Sequence, residues 1–171
     1  MNVADEVHLE PAAATSEPLL ANLLQFYLHD LSETFPIELG PDGRFGYSRL
    51  AAYFSQPDRN IPWLIFRGSS VVGFVLVTRG SPVSDDPEVL DVAEFFVLRS
   101  QRRHGVGGRA AQQLWARLPG QWTVRVSEGN HAGLRFWPAV IRDCAGAAFV
   151  ESHRSGKPHD WRVFSFRSGA R

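Results

Sequence analysis

Cysteine occurs once in the 171 residues, at Cys144, so no disulfide closes within the chain, and no Cys/His cluster has the spacing of a structural zinc site. A lone cysteine fits a reducing cytoplasm, and no metal is expected. Charge of one sign is lacking too: Lys plus Arg and Asp plus Glu stand at 18 each. The chain therefore has no overall basic field of the kind that drives non-specific binding to nucleic acid or anionic lipid, and neither is an expected partner. No apolar run approaches the roughly 18 residues of a membrane span, and Asp5 and Glu6 stand where an export signal would be basic. The expectation is a soluble protein that is not exported.

What is present suffices for one core. Apolar residues make up 44% of the chain, enough at this length for a single domain over residues 1–171. Val7 to Leu9 reads as a short strand. Ser16-Glu17-Pro18 then offers a cap and a first-turn proline ahead of Leu19, Leu20, Leu23, Leu24, Tyr27, Leu28 and Leu31, an amphipathic helical spacing. Phe35 to Arg44 reads as a loop and Tyr47 to Phe54 as a short helix, together placed to cover a site. Trp63 to Phe66, a Gly68-Ser69-Ser70 turn and Val71 to Val77 form a hairpin.

After a polar loop the order becomes strand (Val89 to Leu98), helix (Gly107 to Leu118), strand (Trp122 to Val126). Asn130 opens a helix through Ile141, and strands near Ala148 to His153 and Trp161 to Phe166 close the chain. The class is α/β with a mixed sheet: antiparallel strands early, a parallel crossover in the middle and a hairpin at the end.

The crossover carries the chemistry. Directly after the Val89 to Leu98 strand comes Arg102-Arg103-His104-Gly105-Val106-Gly107-Gly108. Its glycines let consecutive N–H groups point at one anion, and the positive end of the next helix adds to them. Arg99, Arg102, Arg103 and Arg109 lie nearby, as a phosphate site needs. The Gly-Lys-Ser/Thr ending of a P-loop is missing, and the first strand–helix unit holds no dinucleotide fingerprint.

Arg102-x-x-Gly105-x-Gly107 after an apolar strand resembles the Gln/Arg-x-x-Gly-x-Gly/Ala signature of the GNAT superfamily of acetyl-CoA-dependent N-acetyltransferases. Asn130-His131-Ala132-Gly133-Leu134-Arg135-Phe136-Trp137 is similar to the family's second element, Asn-x-x-Ala-x-x-Phe-Tyr. The run Ala93 to Leu98 followed by Arg102-Arg103 is similar to a bacterial branch. The resemblance spans nearly the whole chain. It implies a mostly antiparallel central sheet of six to seven strands, splayed in the middle, with about four helices.

It also implies acetyl-CoA as co-substrate. Main-chain N–H groups of Arg103, His104, Gly105, Val106, Gly107 and Gly108 would hold the pyrophosphate, and main-chain groups of Val97 and Leu98 would pair with the pantetheine arm. Asn130 would reach the arm from the other side, alongside its plainer role as a helix cap.

Attack by a primary amine calls for a base, because an amine of pKa about 10.4 is only about 0.1% neutral at pH 7.4. Asp91 and Glu94 are the two acids on the cofactor strand. Strict alternation puts them on opposite faces, whereas a bulge would change the phase. Glu94, set among Ala93, Phe95 and Phe96, is preferred, since an apolar setting raises a carboxylate's pKa. Either acid could instead serve an ion pair or a solvated strand end.

Trp137 holds the position of the family's proton-donating tyrosine and would line the cofactor site without supplying a proton. Tyr53, Cys144 or water are the substitutes, although Cys144 also reads as a packing residue. The acceptor is a small-molecule or peptide amine. Glu33, Glu38 and Asp42 could attract a cation, and Trp63 and Trp161 could wall the cleft or sit in the core. A catalytically silent acetyl-CoA sensor is the alternative to an enzyme, and a homodimer is left open beside a monomer.

Overall fold

The computed structural model describes residues 6–145, 149–157 and 159–169, with the side chains of Cys144 and Ala145 outside that description. Seven strands form one sheet: β1 (Val7–Pro11), β2 (Asn60–Arg67), β3 (Ser70–Arg79), β4 (Leu90–Val97), β5 (Gly120–Ser127), β6 (Val150–Arg154) and β7 (Trp161–Ser168). Their spatial order is β1-β2-β3-β4-β5-β7-β6, and every neighbouring pair is antiparallel except β4–β5. Among the described residues four α-helices accompany them: α1 (Glu17–Leu31), α2 (Ala52–Ser55), α3 (Val106–Arg117) and α4 (His131–Ala145).

Each face of the sheet buries a separate core. Leu20, Leu23 and Leu24 of α1 and Tyr53 of α2 cover Leu64, Phe74, Leu76 and Phe96 on one side. On the other, Ala110, Ala111, Leu114 and Trp115 of α3, with Trp137 and Ile141 of α4, cover Val75, Val77, Val92, Val124 and Phe164. Each fully buried leucine contributes about 2–3 kcal/mol through its apolar surface. β3 lies between both layers and is buried from Val72 to Thr78, as its unbroken apolar run requires.

Three local expectations are corrected. Ser16 makes no capping side-chain hydrogen bond, because a 3₁₀ turn at Ala14–Ser16 runs straight into α1 and holds Ser16 in helical backbone. The helix expected over Tyr47 to Phe54 is confined to Ala52–Ser55. Upstream, i to i−3 bonds such as Ala52 N–H to the Arg49 carbonyl (3.2 Å) make turns instead. The last strand pair begins at Val150, and Ala148 lies outside the described residues.

Two irregularities shape the centre of the sheet. The β3–β4 register slips between Val77↔Val92 and Leu76↔Glu94, which leaves Ala93 as the extra residue of a bulge. The β4–β5 ladder then holds only Leu90↔Trp122, Asp91↔Thr123 and Val92↔Val124. Beyond Val92 the strands part, and the sheet is splayed at its midpoint.

Candidate active site

The bulge decides which face the two acids occupy. Asp91 stands opposite Thr78 and Glu94 opposite Leu76, and residues 76 and 78 share a face of β3; both acids therefore point toward α1 and α2. Their surroundings differ sharply.

Asp91 is fully buried. It takes the Arg125 guanidinium side-on, Nε to Oδ1 at 3.0 Å and Nη2 to Oδ2 at 2.8 Å, and its Oδ1 also accepts the Thr123 (2.7 Å) and Ser81 (3.1 Å) hydroxyls. With four donors it is the anchor of an ion pair, the alternative its sequence position left open. Burial pulls the Arg125 pKa down, but the hydrogen bonds and charge of Asp91, then the charge of Glu94, outweigh this and leave it raised.

Glu94 is half-buried at the start of the splay. Tyr27 of α1 donates a short hydrogen bond to its Oε2, and Tyr47 donates to Oε1 at 3.1 Å. Desolvation raises the Glu94 pKa above the ordinary carboxylate range; the two tyrosine hydrogen bonds and the charges of Arg49 and Arg125 only partly oppose this. Tyr53 completes the group: its buried hydroxyl lies near Tyr47, and burial pushes its pKa up to about 12.

The chain has three tyrosines, and all three gather at Glu94. Sequence reading missed Tyr27 and Tyr47. Tyr27 fits the apolar stripe of α1 and Tyr47 lies in a turn, so only the scarcity of tyrosine beside the missing family tyrosine was a signal.

Around this centre, Phe35 and Trp161 have ring centroids 6.1 Å apart, His159 meets Phe35 edge-on at 4.6 Å, and Arg125 lies 5.9 Å above the Trp161 ring. Trp161 is thus half-buried in an aromatic group with Phe35 and His159. Trp63 lies in the core on the α3 face of the sheet, with Arg117 over its ring. Glu33, Glu38 and Asp42 are exposed, and Asp42 accepts the Arg44 N–H within its own turn.

On the cofactor side, Gly105 is the left-handed N-cap of α3 (φ 74°), and Arg103 is left-handed as well (φ 64°). The first turn of α3 therefore opens onto an exposed loop of Arg103, His104 and Gly105, with Arg109 exposed beside it. A Cβ on Gly107 would meet the Phe136 ring at 3.1 Å, so a glycine keeps this helix start close to α4. Arg102 turns inward: its Nε donates to the Val97 carbonyl at 2.8 Å and its Nη2 to Asp30 at 2.5 Å, while Arg99 donates to the other oxygen of Asp30 at 2.8 Å.

The Leu98 N–H is bonded to the Val72 carbonyl at 2.9 Å. This corrects the expectation for Leu98, whose amide completes the β3–β4 pairing. By alternation, the peptide groups of Phe95 and Val97 face the opening between β4 and β5. Asn130 caps α4, its Oδ1 accepting the Gly133 N–H at 2.9 Å. Trp137 is buried, with Phe95 at 5.0 Å and Trp115 at 6.5 Å between ring centroids, so it is a core residue and not part of a cofactor surface. Among the described residues no cluster of His, Cys, Asp or Glu is placed to hold a metal ion.

A sheet splayed at its one parallel joint, a glycine-capped helix start on one side of the gap and the half-buried Glu94 carboxyl on the other make up an acyltransferase-like fold. The sequence matches the acetyltransferase (GNAT) family over residues 22–139, and the chain belongs to that family. It is therefore an acetyltransferase with acetyl-CoA as co-substrate.

Three solved structures of like fold illustrate the range. A ribosomal-protein alanine N-acetyltransferase of Escherichia coli superposes with a TM-score of 0.66 at 12% identity, over 97% of this chain and 96% of that one. RimL, a ribosomal α-N-protein acetyltransferase solved with coenzyme A, gives 0.66 at 14% identity over 97% and 96%. The yncA protein of Salmonella typhimurium, solved with its cofactor acetyl-CoA, gives 0.65 at 10% over 96% and 95%. No curated protein matches the sequence.

Proposed function

We propose that the chain transfers acetyl from acetyl-CoA to a primary amine by direct attack in a ternary complex, with Glu94 as general base. The observation that carries this reading is the seat of Glu94: half-buried, gripped by two tyrosines and beside the opening in the sheet. A carboxyl with a raised pKa is a stronger base than one in water, and each carboxylate oxygen keeps a lone pair beyond the one its tyrosine uses. Asp91 is set aside as the base because its oxygens are committed to Arg125, Thr123 and Ser81.

The residues present fit acetyl-CoA. The N–H groups of Val106 to Gly108, the left-handed Gly105 and the cations Arg103 and Arg109 suit the pyrophosphate, and Val97 with Phe95 suits an extended arm lying along β4. The bound co-substrate supplies the acetyl thioester. Glu94 takes one proton from the ammonium; the neutral nitrogen bonds to the acetyl carbon as the C–S bond breaks, the electron pair leaves with sulfur, and the second N–H proton passes to the departing thiolate or to solvent. A thiol of pKa about 8.5 departs tolerably as thiolate, so the tyrosine replaced by Trp137 is dispensable.

Relatives of like fold act on ribosomal proteins, so peptide N-terminal amines belong beside small amines in any acceptor panel. Thiol release from acetyl-CoA across that panel tests the reading. Turnover that disappears in Glu94→Gln while acetyl-CoA still binds supports it; undiminished turnover in that variant overturns the base assignment.

A further inference from the structure

The groups around Glu94 describe the acceptor as well as the base. An enzyme for a plain cationic amine would be expected to surround its base with acids. Here the charges that Glu94 feels most are the cations of Arg49 and Arg125. Glu33, Glu38 and Asp42 stay on exposed loop positions.

Arg125 is built as an oriented group. Asp91, itself fixed by Thr123 and Ser81, holds the Nε/Nη2 edge, and the Nη1 of Arg125 makes no hydrogen bond among the described residues. The side chain keeps 19% of its surface open, lies 5.9 Å over the Trp161 ring and carries its charge near enough for Glu94 to feel it. A side-on grip on one edge leaves the other end of the planar fork for a second partner, a geometry that suits a carboxylate or phosphonate oxygen. Arg49, exposed on the turn after Tyr47, supplies a second cation that both Tyr47 and Glu94 feel.

Building on the acetyltransferase reading, we propose that the acceptor is a small amphoteric amine, carrying an anionic group a few bonds from the nitrogen. Its amine meets Glu94, its anion meets the free end of Arg125 with Arg49 in support, and its side chain lies against Trp161 and Phe35. A charge-neutral zwitterion matches a cleft holding two arginines, the Asp91 counter-ion and one titrating base. A simple alkylamine would leave the Nη1 of Arg125 without a partner once the cleft is filled.

The test pairs amino acids with their decarboxylated amines and with peptides carrying the same N-terminal residue, measured by thiol release from acetyl-CoA. The expected result is a kcat/KM for the carboxylated member about tenfold or more above its decarboxylated partner. Arg125→Lys and Arg49→Gln should each shrink that ratio, through an acceptor KM that rises more for the carboxylated member than for its decarboxylated partner. Arg49 is exposed, so its variant reads out even where Arg125→Lys fails to fold. Equal turnover of both members, preference for the peptides, or a ratio that survives both variants overturns the amphoteric acceptor and leaves the acetyltransferase reading standing. Absence of turnover with every amine overturns both.

Discussion

Tyr27 and Asp30 stand three residues apart on α1, and they hold the two halves of the site: Tyr27 grips Glu94, while Asp30 takes both Arg99 and Arg102. Residues at this spacing lie on neighbouring positions of one helix face, so a single turn of α1 registers the proposed base against the phosphate loop. Asp30→Ala should loosen that loop. The expected outcome is an acetyl-CoA Kd raised about 3–10-fold, the equivalent of roughly 1 kcal/mol for partly exposed ion pairs, with kcat at saturation nearly unchanged. Calorimetric titration measures it, and an unchanged Kd would remove Asp30 from the loop's support.

Tyr27→Phe tests the other end of the turn. The Tyr27 hydroxyl stabilises ionised Glu94, so losing it moves the Glu94 pKa further up. The acid limb of the kcat/KM profile should therefore shift to higher pH, while Tyr53→Phe, whose hydroxyl bonds neither oxygen of Glu94, leaves it in place. Identical profiles for the wild type and Tyr27→Phe would detach the tyrosine from the base.

Glu94→Gln should cost activity and gain stability. Activity should fall by about 10²–10⁴ in kcat. The folded-state pKa of Glu94 lies above its unfolded value, so its favourable contribution is complete below the unfolded pKa and is lost as pH rises through the folded pKa. Above that window the wild type holds a desolvated carboxylate that the amide variant does not. The melting temperature of Glu94→Gln should exceed that of the wild type at pH 8, and the gap should close toward pH 4. A variant less stable at pH 8 would contradict this.

Asp91→Ala should do the opposite, because it strands a largely buried guanidinium. Breaking one side of a buried pair costs about 3–5 kcal/mol, which for a chain of this size lowers Tm by on the order of 10 °C. Thermal denaturation of the two acid variants side by side separates the structural carboxylate from the chemical one.

Gly107→Trp should abolish the rise in Tm that acetyl-CoA brings. Ligand at 100 times its Kd adds about 2.7 kcal/mol to the folded state, several degrees here. Even a Cβ at residue 107 crowds Phe136, and an indole would fill the helix start. A full ligand shift in the variant would place the phosphates elsewhere.

The fold was largely legible because its signals are local. The apolar stripe of α1, the Gly68 turn between β2 and β3, and the Gly105 start of α3 each fix an element through nearby chemistry. The glycine loop ahead of α3 was legible for the same reason. The roles of Asp91 and Glu94 depended on the slip at Ala93, a residue with no turn or bulge signature of its own; the phase of β4 is set by its pairing with β3. Tyr27 and Tyr47 lie 67 and 47 residues from Glu94, and no spacing rule joins them. Trp137 matched the family's site by motif yet turned inward, since the wide indole finds its partners in Phe95 and Trp115.

The three-rung joint between β4 and β5 makes the sheet two panels on a narrow seam. Panel β1–β4 carries Glu94 and leads into the glycine loop proposed to hold phosphate, while panel β5–β7 carries Arg125 and Trp161. A donor lying in the seam would act as a borrowed rung, supplying hydrogen bonds that the chain does not make for itself. Filling the seam and aligning base against acceptor would then be one mechanical event, and the empty enzyme would be softest along the line where its chemistry takes place.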